Sequence, residues 1–250
     1  MKNTVATRRF KAEIRELTLG ESIELAKIPD ESEHASTAKL LGYIVTTVSG
    51  AVTSIDDWTV QERNYVKAMY MSATRDDGPN FLIDEESGAV LTDYMAAEQQ
   101  YPNDSVEIDG VVVHQLTGRL AESIERLSGE LEATDYGHWL AGWIAATSHL
   151  VGEEYLPPAG DSDLDDWLLA RMKELFEDEG PMSGFEHRAM VLMAGQIELS
   201  HLLNLVIAPH GGIALAPKEA EAELPLARFP TDTILSVIAK RMGGKLRKND

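Results

Sequence analysis

A serine and a lysine three positions apart have side chains that could act together in catalysis. Ser36 and Lys39 have the Ser-x-x-Lys spacing that joins a nucleophile to its base in some hydrolases. The partner strings of those enzymes are missing, which favours an exposed helix turn instead. The chain has no cysteine and therefore no thiolate nucleophile or cysteine-ligated metal. No Gly-x-Ser-x-Gly elbow or glycine-rich phosphate loop occurs, and we predict no catalytic residues.

Two groups of residues have types that bind metals, but neither has the spacing of a metal site. The stretch Asp161–Asp165 opens like an EF-hand loop, which also needs a glycine at its sixth position and a glutamate at its twelfth. Those positions hold Asp166 and Met172, which favours an acidic helix start instead. His138 and His149 share a helix face but lie about 16 Å apart along its axis. We therefore predict structural histidines, no metal and no cofactor.

Charge is unevenly distributed along the chain. It contains 42 acidic and 22 basic residues, for a formal net charge of −20, yet both ends are basic. The acidic body repels phosphate, so we predict no direct nucleic-acid binding. No apolar run reaches the roughly 18–20 residues of a membrane span, so we predict no membrane contact. The basic ends are predicted to be solvated tails or contacts for an acidic protein, with Arg8, Arg9, Lys245 and Arg247 as candidate contact residues.

Two apolar surfaces could hold a protein partner. Trp139 and Trp143 share a face of a predicted helix over residues 135–151, where they either pack in the core or anchor an interface. The predicted helix over residues 184–208 is apolar around most of its girth, so it lies either in the centre of a bundle or under a partner. Methionines in and beside this helix would adapt to such contacts. The candidate contact methionines are Met182, Met190 and Met193.

Local patterns predict the elements of the N-terminal part. Apolar residues alternate with charged ones over residues 10–14, as in a half-buried strand. Capping-box spacing predicts a helix after Thr18 and another after Thr59, the second running to about residue 73. Between them, an apolar stripe predicts a helix over residues 31–48.

Residues 78–114 are predicted to form a small β-rich region. One predicted hairpin spans residues 81–91, and a second spans residues 106–113 around Asp109 and Gly110, a pair that favours a type I′ turn. Isolated hairpins are only marginally stable in water. These strands are therefore expected to pair with each other, with the N-terminal strand or with another chain.

Helices are predicted to predominate from residue 117 onward. They cover residues 117–127, 135–151, 163–176, 184–208 and 231–242. The fold class is thus predicted as mainly α with a small antiparallel β element, an α+β fold. We expect two packed subdomains, over residues 1–97 and 98–250.

Two strings resemble a known family. Phe10–Glu21 is similar to the opening of several tailed-bacteriophage tail and baseplate assembly proteins, in which a strand ends in a Leu-Thr-Leu-Gly turn before a helix. Trp58–Arg63, followed by a helix and a β segment, is similar to a helix of the same proteins. The resemblance covers roughly residues 8–95 and is to contractile-tail baseplate hub and tail assembly chaperone proteins.

This resemblance implies a non-enzymatic structural or assembly protein of a phage tail or baseplate. The implied partners are other tail or baseplate proteins or copies of the chain itself. The implied location is the host cytoplasm during assembly or the tail of the finished virion. Two other interpretations stay open: a small regulatory or adaptor module that binds one partner, and an enzyme whose site has no known motif.

Overall fold

The structure is a computed structural model that describes residues 2–75, 78–96, 99–177, 182–219 and 223–228. Within these residues it contains seven α-helices and eight β-strands. The strands form two three-stranded sheets and one two-stranded sheet, and every pairing between them is antiparallel. The predicted α+β fold with small antiparallel sheets is therefore confirmed.

The first sheet assembles around the strand that the alternating pattern predicts. This central strand, β2 (Phe10–Arg15), pairs on its two edges with β1 (Lys2–Ala6) and β3 (Val45–Gly50). Its apolar residues are buried and its charged residues more exposed, as alternation requires. Because residues 2–6 belong to a sheet, the prediction of a solvated basic tail is wrong at this end of the chain.

Two helices lie between β2 and β3. The capping box at Thr18 starts α1 (Leu19–Leu25), as predicted, and α2 (Glu33–Ile44) follows. The helix predicted over residues 31–48 therefore ends early, and its last residues belong to β3. β-branched side chains lose rotamer freedom in a helix and favour strands. The residues of β3 pair with the edge of β2, a partner that their local sequence pattern does not reveal.

The helix after Thr59 has the predicted start. In α3 (Val60–Thr74), the Thr59 hydroxyl accepts a hydrogen bond from the Glu62 N–H, and the Glu62 carboxylate accepts one from the Thr59 N–H at 2.9 Å. Just before this cap, the Trp58 ring stacks on Phe10 with centroids 4.0 Å apart. Most polar side chains of α3 are buried, so they need partners inside the protein.

The second predicted hairpin is confirmed. It consists of β4 (Ser105–Ile108) and β5 (Val111–His114). Asp109 and Gly110 have φ values of 51° and 76°, as a type I′ turn requires.

The hairpin predicted over residues 81–91 is confirmed in part: its two arms run antiparallel, but they are too short to form strands. An isolated bridge joins Leu82 to Val90. Backbone hydrogen bonds flank it, from the Ile83 N–H to the Ala89 C=O at 2.8 Å and from the Leu91 N–H to the Phe81 C=O at 3.3 Å. Side chains bind the remaining backbone groups: the Asp84 carboxylate accepts the Ser87 N–H at 2.7 Å inside the loop, and the Asp93 carboxylate accepts the Val90 N–H at 2.9 Å.

The confirmed hairpin gains its third strand from a segment predicted as helix. After α4 (Gly118–Arg126), α5 (Asp135–Thr147) ends earlier than the predicted residue 151. The next residues form β6 (Ser148–Leu150), which pairs with β5. A strand edge in need of a partner thus overrides the helical pattern here. The helix α6 (Asp161–Glu177) then packs on α4 and α5.

The longest predicted helix is also shorter than expected. Residues 184–208 divide between α7 (Met182–Leu199) and β7 (Asn204–Ile207), and β7 pairs with β8 (Ile213–Ala216). Side chains from distant elements bind the backbone where α7 ends, as described below. The helix predicted over residues 231–242 lies outside the described residues.

The buried apolar side chains form one continuous cluster across the described residues. Gln61 of α3 hydrogen-bonds to backbone groups between α7 and β7, at Leu199 and His201. Such contacts join the two predicted subdomains, over residues 1–97 and 98–250, and their division stays a prediction.

Candidate functional site

An open groove lies between α5, α7 and the β7–β8 hairpin, and we call it the α7 groove. Its volume is about 680 Å³, within the range of sites that hold small ligands or a few side chains of a peptide. Most of its walls are apolar. It is lined by Tyr136, Leu140 and Trp143 of α5, by Leu192, Met193, Gln196 and Ile197 of α7, by residues 204–207 and 216–219, and by Leu224.

Two buried side chains that line the groove have N–H groups without an acceptor. Trp143 is 2% exposed and Gln196 is 8% exposed. Among the described residues, no atom accepts a hydrogen bond from Trp143 Nε1 or Gln196 Nε2. A buried donor without a partner costs about 1–3 kcal/mol. Five further buried polar atoms, none of them lining the groove, also have no hydrogen-bond partner among the described residues. Neighbouring atoms cover both N–H groups, so an acceptor from outside the described chain would remove this cost once those neighbours move aside.

A stripe of exposed apolar side chains borders the groove along α7. Ile197 is 77% exposed, Met193 is 50% exposed and Met190 is 63% exposed. The spacing of these three residues places them on one face of the helix, while the opposite face packs in the core. Single exposed apolar residues are ordinary, but a contiguous stripe marks a contact surface.

The edge of β7 that faces away from β8 is open. Leu215 of β8 exchanges two backbone hydrogen bonds with Ala227, so its polar groups point away from β7. Leu205 lies opposite Leu215 and therefore directs its own N–H and C=O away from β8, as does Ile207 two residues later. Among the described residues, no strand pairs with this edge of β7. Both residues also line the α7 groove.

Two buried glutamines hold the turn between α7 and β7. Gln61 Oε1 accepts hydrogen bonds from the N–H groups of residues 201, 202 and 203 at 3.0, 3.1 and 3.3 Å. The side-chain amides of Gln61 and Gln115 both donate to the Leu199 C=O, at 3.2 and 2.8 Å. These bonds satisfy backbone groups that the end of α7 leaves open. They thereby determine where β7 leaves the helix.

A glycine allows α7 to approach β5 closely. A Cβ atom built at Gly195 would lie 2.9 Å from Val113 side-chain atoms, too close for any larger residue without displacement. This contact seats α7 on the β4–β5–β6 sheet. The next residue along the helix, Gln196, then lines the groove.

The structure brings together two of the predicted contact residues. Trp143 and Met193 both line the α7 groove, and Met190 continues the exposed stripe beside it. Trp139 lies elsewhere: it is 9% exposed and packs against a histidine ring of α2, with ring centroids 5.4 Å apart. The side chain of Met182 lies outside the described part of the structure.

The two predicted basic contact residues within the described part of the chain do not line the groove. Arg8 is exposed, and its Nε donates to the Gln99 C=O at 3.2 Å. Arg9 faces inward, with its Nε 3.5 Å from Glu62 Oε1. Lys245 and Arg247 lie outside the described residues. Partner contact through these four residues therefore stays a prediction.

The sequence motifs that resemble catalytic or metal-binding sites, at Ser36–Lys39 and Asp161–Asp165, do not form a cluster of reactive groups in the structure. Ser36 is buried, not exposed as predicted, and its hydroxyl donates to the Glu33 C=O at 3.0 Å. Lys39 lies over an aromatic ring of the same helix, 5.2 Å from its centroid. Asp165 pairs with Arg126 at 2.8 Å. Within the described residues, no group of three or more histidines or carboxylates could hold a metal ion.

Sequence reasoning missed a buried ionic cluster at the start of α2. Lys67 of α3 is fully buried, with its Nζ 3.5 Å from Glu33 Oε1 and 2.9 Å from the Thr37 hydroxyl. Arg228 binds the other Glu33 oxygen at 2.9 Å. Burial lowers the pKa of Lys67. Burial acts to raise the pKa of Glu33, but the neighbouring cations hold that pKa below its usual value. Each partner comes from a different element, so no local signal announces the cluster.

Glu125 of α4 belongs to the same region and caps α2. Its carboxylate accepts the N–H groups of His34 and Ala35 at 2.8 and 2.9 Å, where the side chain of Ser32 makes no capping bond. Burial raises the pKa of Glu125 to about 7, although these two hydrogen bonds act to lower it. Its hydrogen bonds give this carboxyl group a structural role.

Three of the histidines have structural partners through at least one ring nitrogen. His138 bonds through Nε2 to the Ile124 C=O at 2.7 Å, as expected of a structural histidine. His149 of β6 lies with its Nε2 3.1 Å from Nε2 of His114 on β5, and the Tyr155 ring stacks on both imidazoles. Burial and the neighbouring His149 lower the pKa of His114. This pair joins β6 to β5.

No helix among the described residues is both long enough and apolar enough to cross a bilayer. The family that the sequence resembles stays a prediction. Comparison of the chain with protein-family models, curated proteins and solved structures gives no match.

Proposed function

We propose that this protein is a non-enzymatic binding protein that acts through protein–protein contacts, with the α7 groove as its contact surface. One observation carries the proposal: buried donors without acceptors at Trp143 and Gln196 lie beside an exposed apolar border at Met193 and Ile197. A well-packed apolar centre with a few directed polar groups is typical of protein interfaces.

The extent of the exposed surface favours a protein over a small molecule. The apolar stripe continues along α7 beyond the groove to Met190. A small ligand inside the groove would leave this stripe in water, whereas a protein partner would cover it. The open edge of β7 also offers backbone hydrogen bonds, which another polypeptide matches best.

The shifted ionisable groups outside the groove do not favour an enzyme. Burial lowers the pKa of Lys67 and raises that of Glu125, while nearby cations hold the pKa of Glu33 low. All three groups have structural partners, because Lys67 and Glu33 form an ion pair and Glu125 caps a helix. Structural ion pairs and caps of this kind perturb pKa values without catalysis.

We propose phage tail or baseplate assembly as the setting of this contact. Its support is the resemblance over roughly residues 8–95. One of the resembling strings, Trp58–Arg63, opens α3 and includes Gln61, whose side chain holds the turn beside the groove. The expected partners are other tail or baseplate proteins or copies of this chain.

Site-specific crosslinking tests the proposed function. A photo-reactive phenylalanine analogue in place of Ile197 should crosslink one protein in an extract of the source cells, identified by mass spectrometry. The matched control replaces Leu156, which is 73% exposed and does not line the groove. A tail or baseplate protein crosslinked only at Ile197 supports both function and setting.

The other outcomes separate the two parts of the proposal. A single unrelated protein crosslinked only from Ile197 would support the binding function and contradict the phage setting. The same products from both positions, or no product from either, would contradict the groove as a contact surface.

A further inference from the structure

We propose that the partner contributes an extended segment that joins β7 as an added strand, and that carbonyl groups of this segment accept hydrogen bonds from Trp143 Nε1 and Gln196 Nε2. This inference rests on the proposed function and specifies how the α7 groove holds its partner.

The backbone of β7 provides the first half of the argument. Leu205 and Ile207 direct their N–H and C=O groups toward the open edge, because the ladder to β8 uses the groups of the alternate residues, such as Val206 between them. The two N–H and two C=O groups of these residues could therefore form the backbone hydrogen bonds of one further strand. An incoming segment would thereby extend the two-stranded sheet.

The buried donors provide the second half. Trp143 and Gln196 both need acceptors, and neither has one among the described residues. An extended segment keeps the carbonyl groups on one of its edges free when the other edge pairs with β7. In a helix, by contrast, the carbonyl groups bond within the helix except in its last turn. A helix in the groove would leave both the donors and the strand edge unsatisfied.

The walls and the charge determine the chemistry of the segment. Leu140, Leu192 and Leu205 line the groove, so side chains at alternate positions of the segment should be apolar. Lys218 and Glu219 both lie among the lining residues, Glu198 is exposed beside Ile197, and the chain as a whole has a net charge of −20. The field of such a protein attracts cations. We therefore assign an extended apolar segment of another protein, flanked by lysine or arginine.

A short synthetic peptide tests this assignment. The probe has valines at alternate positions, threonines between them and lysines at both ends, and it is titrated into the full chain labelled with nitrogen-15. In proton–nitrogen correlation spectra, the Trp143 indole and Gln196 amide signals should move together with the backbone signals of Leu205 and Ile207. The same peptide with N-methyl groups along the edge that faces β7 should lose roughly tenfold or more in affinity, because it lacks those donors.

Substitutions at the two tryptophans provide a matched comparison. Trp143→Phe keeps an aromatic ring but removes the donor, and it should weaken probe binding roughly three- to tenfold. Trp139→Phe makes the same change outside the groove and should leave the affinity unchanged. Equal effects at both positions would overturn the assignment of Trp143 as a donor to the partner.

The remaining outcomes identify other occupants and other modes. Equal affinity for the N-methylated peptide, or tighter binding of a helix-stabilised version, would overturn strand addition and leave the proposed function standing. Nuclear Overhauser contacts from the Trp143 indole to residues 229–250 in the free chain would assign the groove to this chain itself. A dimer that the probe dissociates would assign it to a second copy. Either result overturns the assignment to another protein, and absence of probe binding overturns the segment chemistry.

Discussion

The start of α2 and the α7 groove both bury polar side chains, but the two regions differ in whether those side chains have hydrogen-bonding partners. In the first region, Glu33, Lys67 and Glu125 each bond to a group from another element. In the second region, Trp143 and Gln196 have buried N–H groups with no acceptor among the described residues. All of these groups lose hydration when they are buried. Contacts within the chain offset part of that loss in the first region, whereas the two groove donors have no such contact among the described residues.

This difference implies opposite responses to substitution. Removing one member of a satisfied pair leaves its partner buried without compensation, which is costly. Removing a donor that has no partner eliminates a cost that the folded chain already carries. The ionic cluster should therefore control stability, and the groove should control binding.

The largest effect is expected at Glu33. Glu33→Ala leaves Lys67 fully buried without its carboxylate, and we expect the free energy of unfolding to fall by roughly 3–5 kcal/mol. Urea denaturation monitored by circular dichroism measures this loss. Glu24→Ala, which breaks the exposed pair with Lys27, should change stability by less than about 1 kcal/mol.

A second variant checks the cause of that loss. Glu33→Ala combined with Lys67→Met should recover part of the stability, because no buried charge then remains without a partner. Failure of the double variant to exceed the single one would show that packing around Glu33, and not the charge of Lys67, controls stability here.

A pH effect of intermediate size is expected at Glu125. Its pKa is about 7 in the folded protein, above the ordinary 4.5, so the fold favours the protonated form. The stabilisation from this group is fully present below pH 4.5 and is lost as pH rises through 7. Glu125→Gln cannot ionise, so its stability relative to the natural chain should increase as pH rises through this window. Denaturation midpoints across the window measure the difference.

The control for this pH dependence is Glu130→Gln, at an exposed position shortly after α4. This variant should follow the natural chain at every pH. If Glu125→Gln also follows the natural chain throughout, ionisation of Glu125 does not influence the stability of the α2 cap.

The smallest change in stability is expected at Gln196. Gln196→Met removes a buried donor without a partner at similar volume, so the free energy of unfolding should stay within about 0.5 kcal/mol or increase. The same substitution at Gln61 should cost several times more, because it leaves the N–H groups of residues 201–203 without an acceptor. Equal losses at the two glutamines would contradict the contrast between satisfied and unsatisfied polar groups.

Much of the local structure could be predicted from the sequence. The capping boxes at Thr18 and Thr59 and the turn at Asp109 and Gly110 are all present. Each of these signals involves residues within four positions of one another. Their interactions form wherever the chain visits that conformation, so distant contacts are not needed to recognise them.

The three helices that are predicted too long share a physical cause. The strands β3, β6 and β7 each lie in a segment that the sequence predicts as the end of a helix. A short apolar run fits the buried face of a helix or of a strand, so periodicity alone does not decide between them. β3 and β6 form because each pairs with a strand that lies outside its own predicted helix. The side chains of Gln61 and Gln115 bind the backbone where α7 ends, before β7.

The candidate site divides in the same way. The sequence by itself determined that Trp143 and Met193 are contact candidates and that the chain is strongly acidic, because residue type and charge are properties of single positions. Only the tertiary structure decided that Trp143 is buried beside Gln196 with no acceptor, next to an open strand edge. Whether a buried N–H group finds an acceptor depends on which distant elements pack together, and the sequence pattern does not specify that packing.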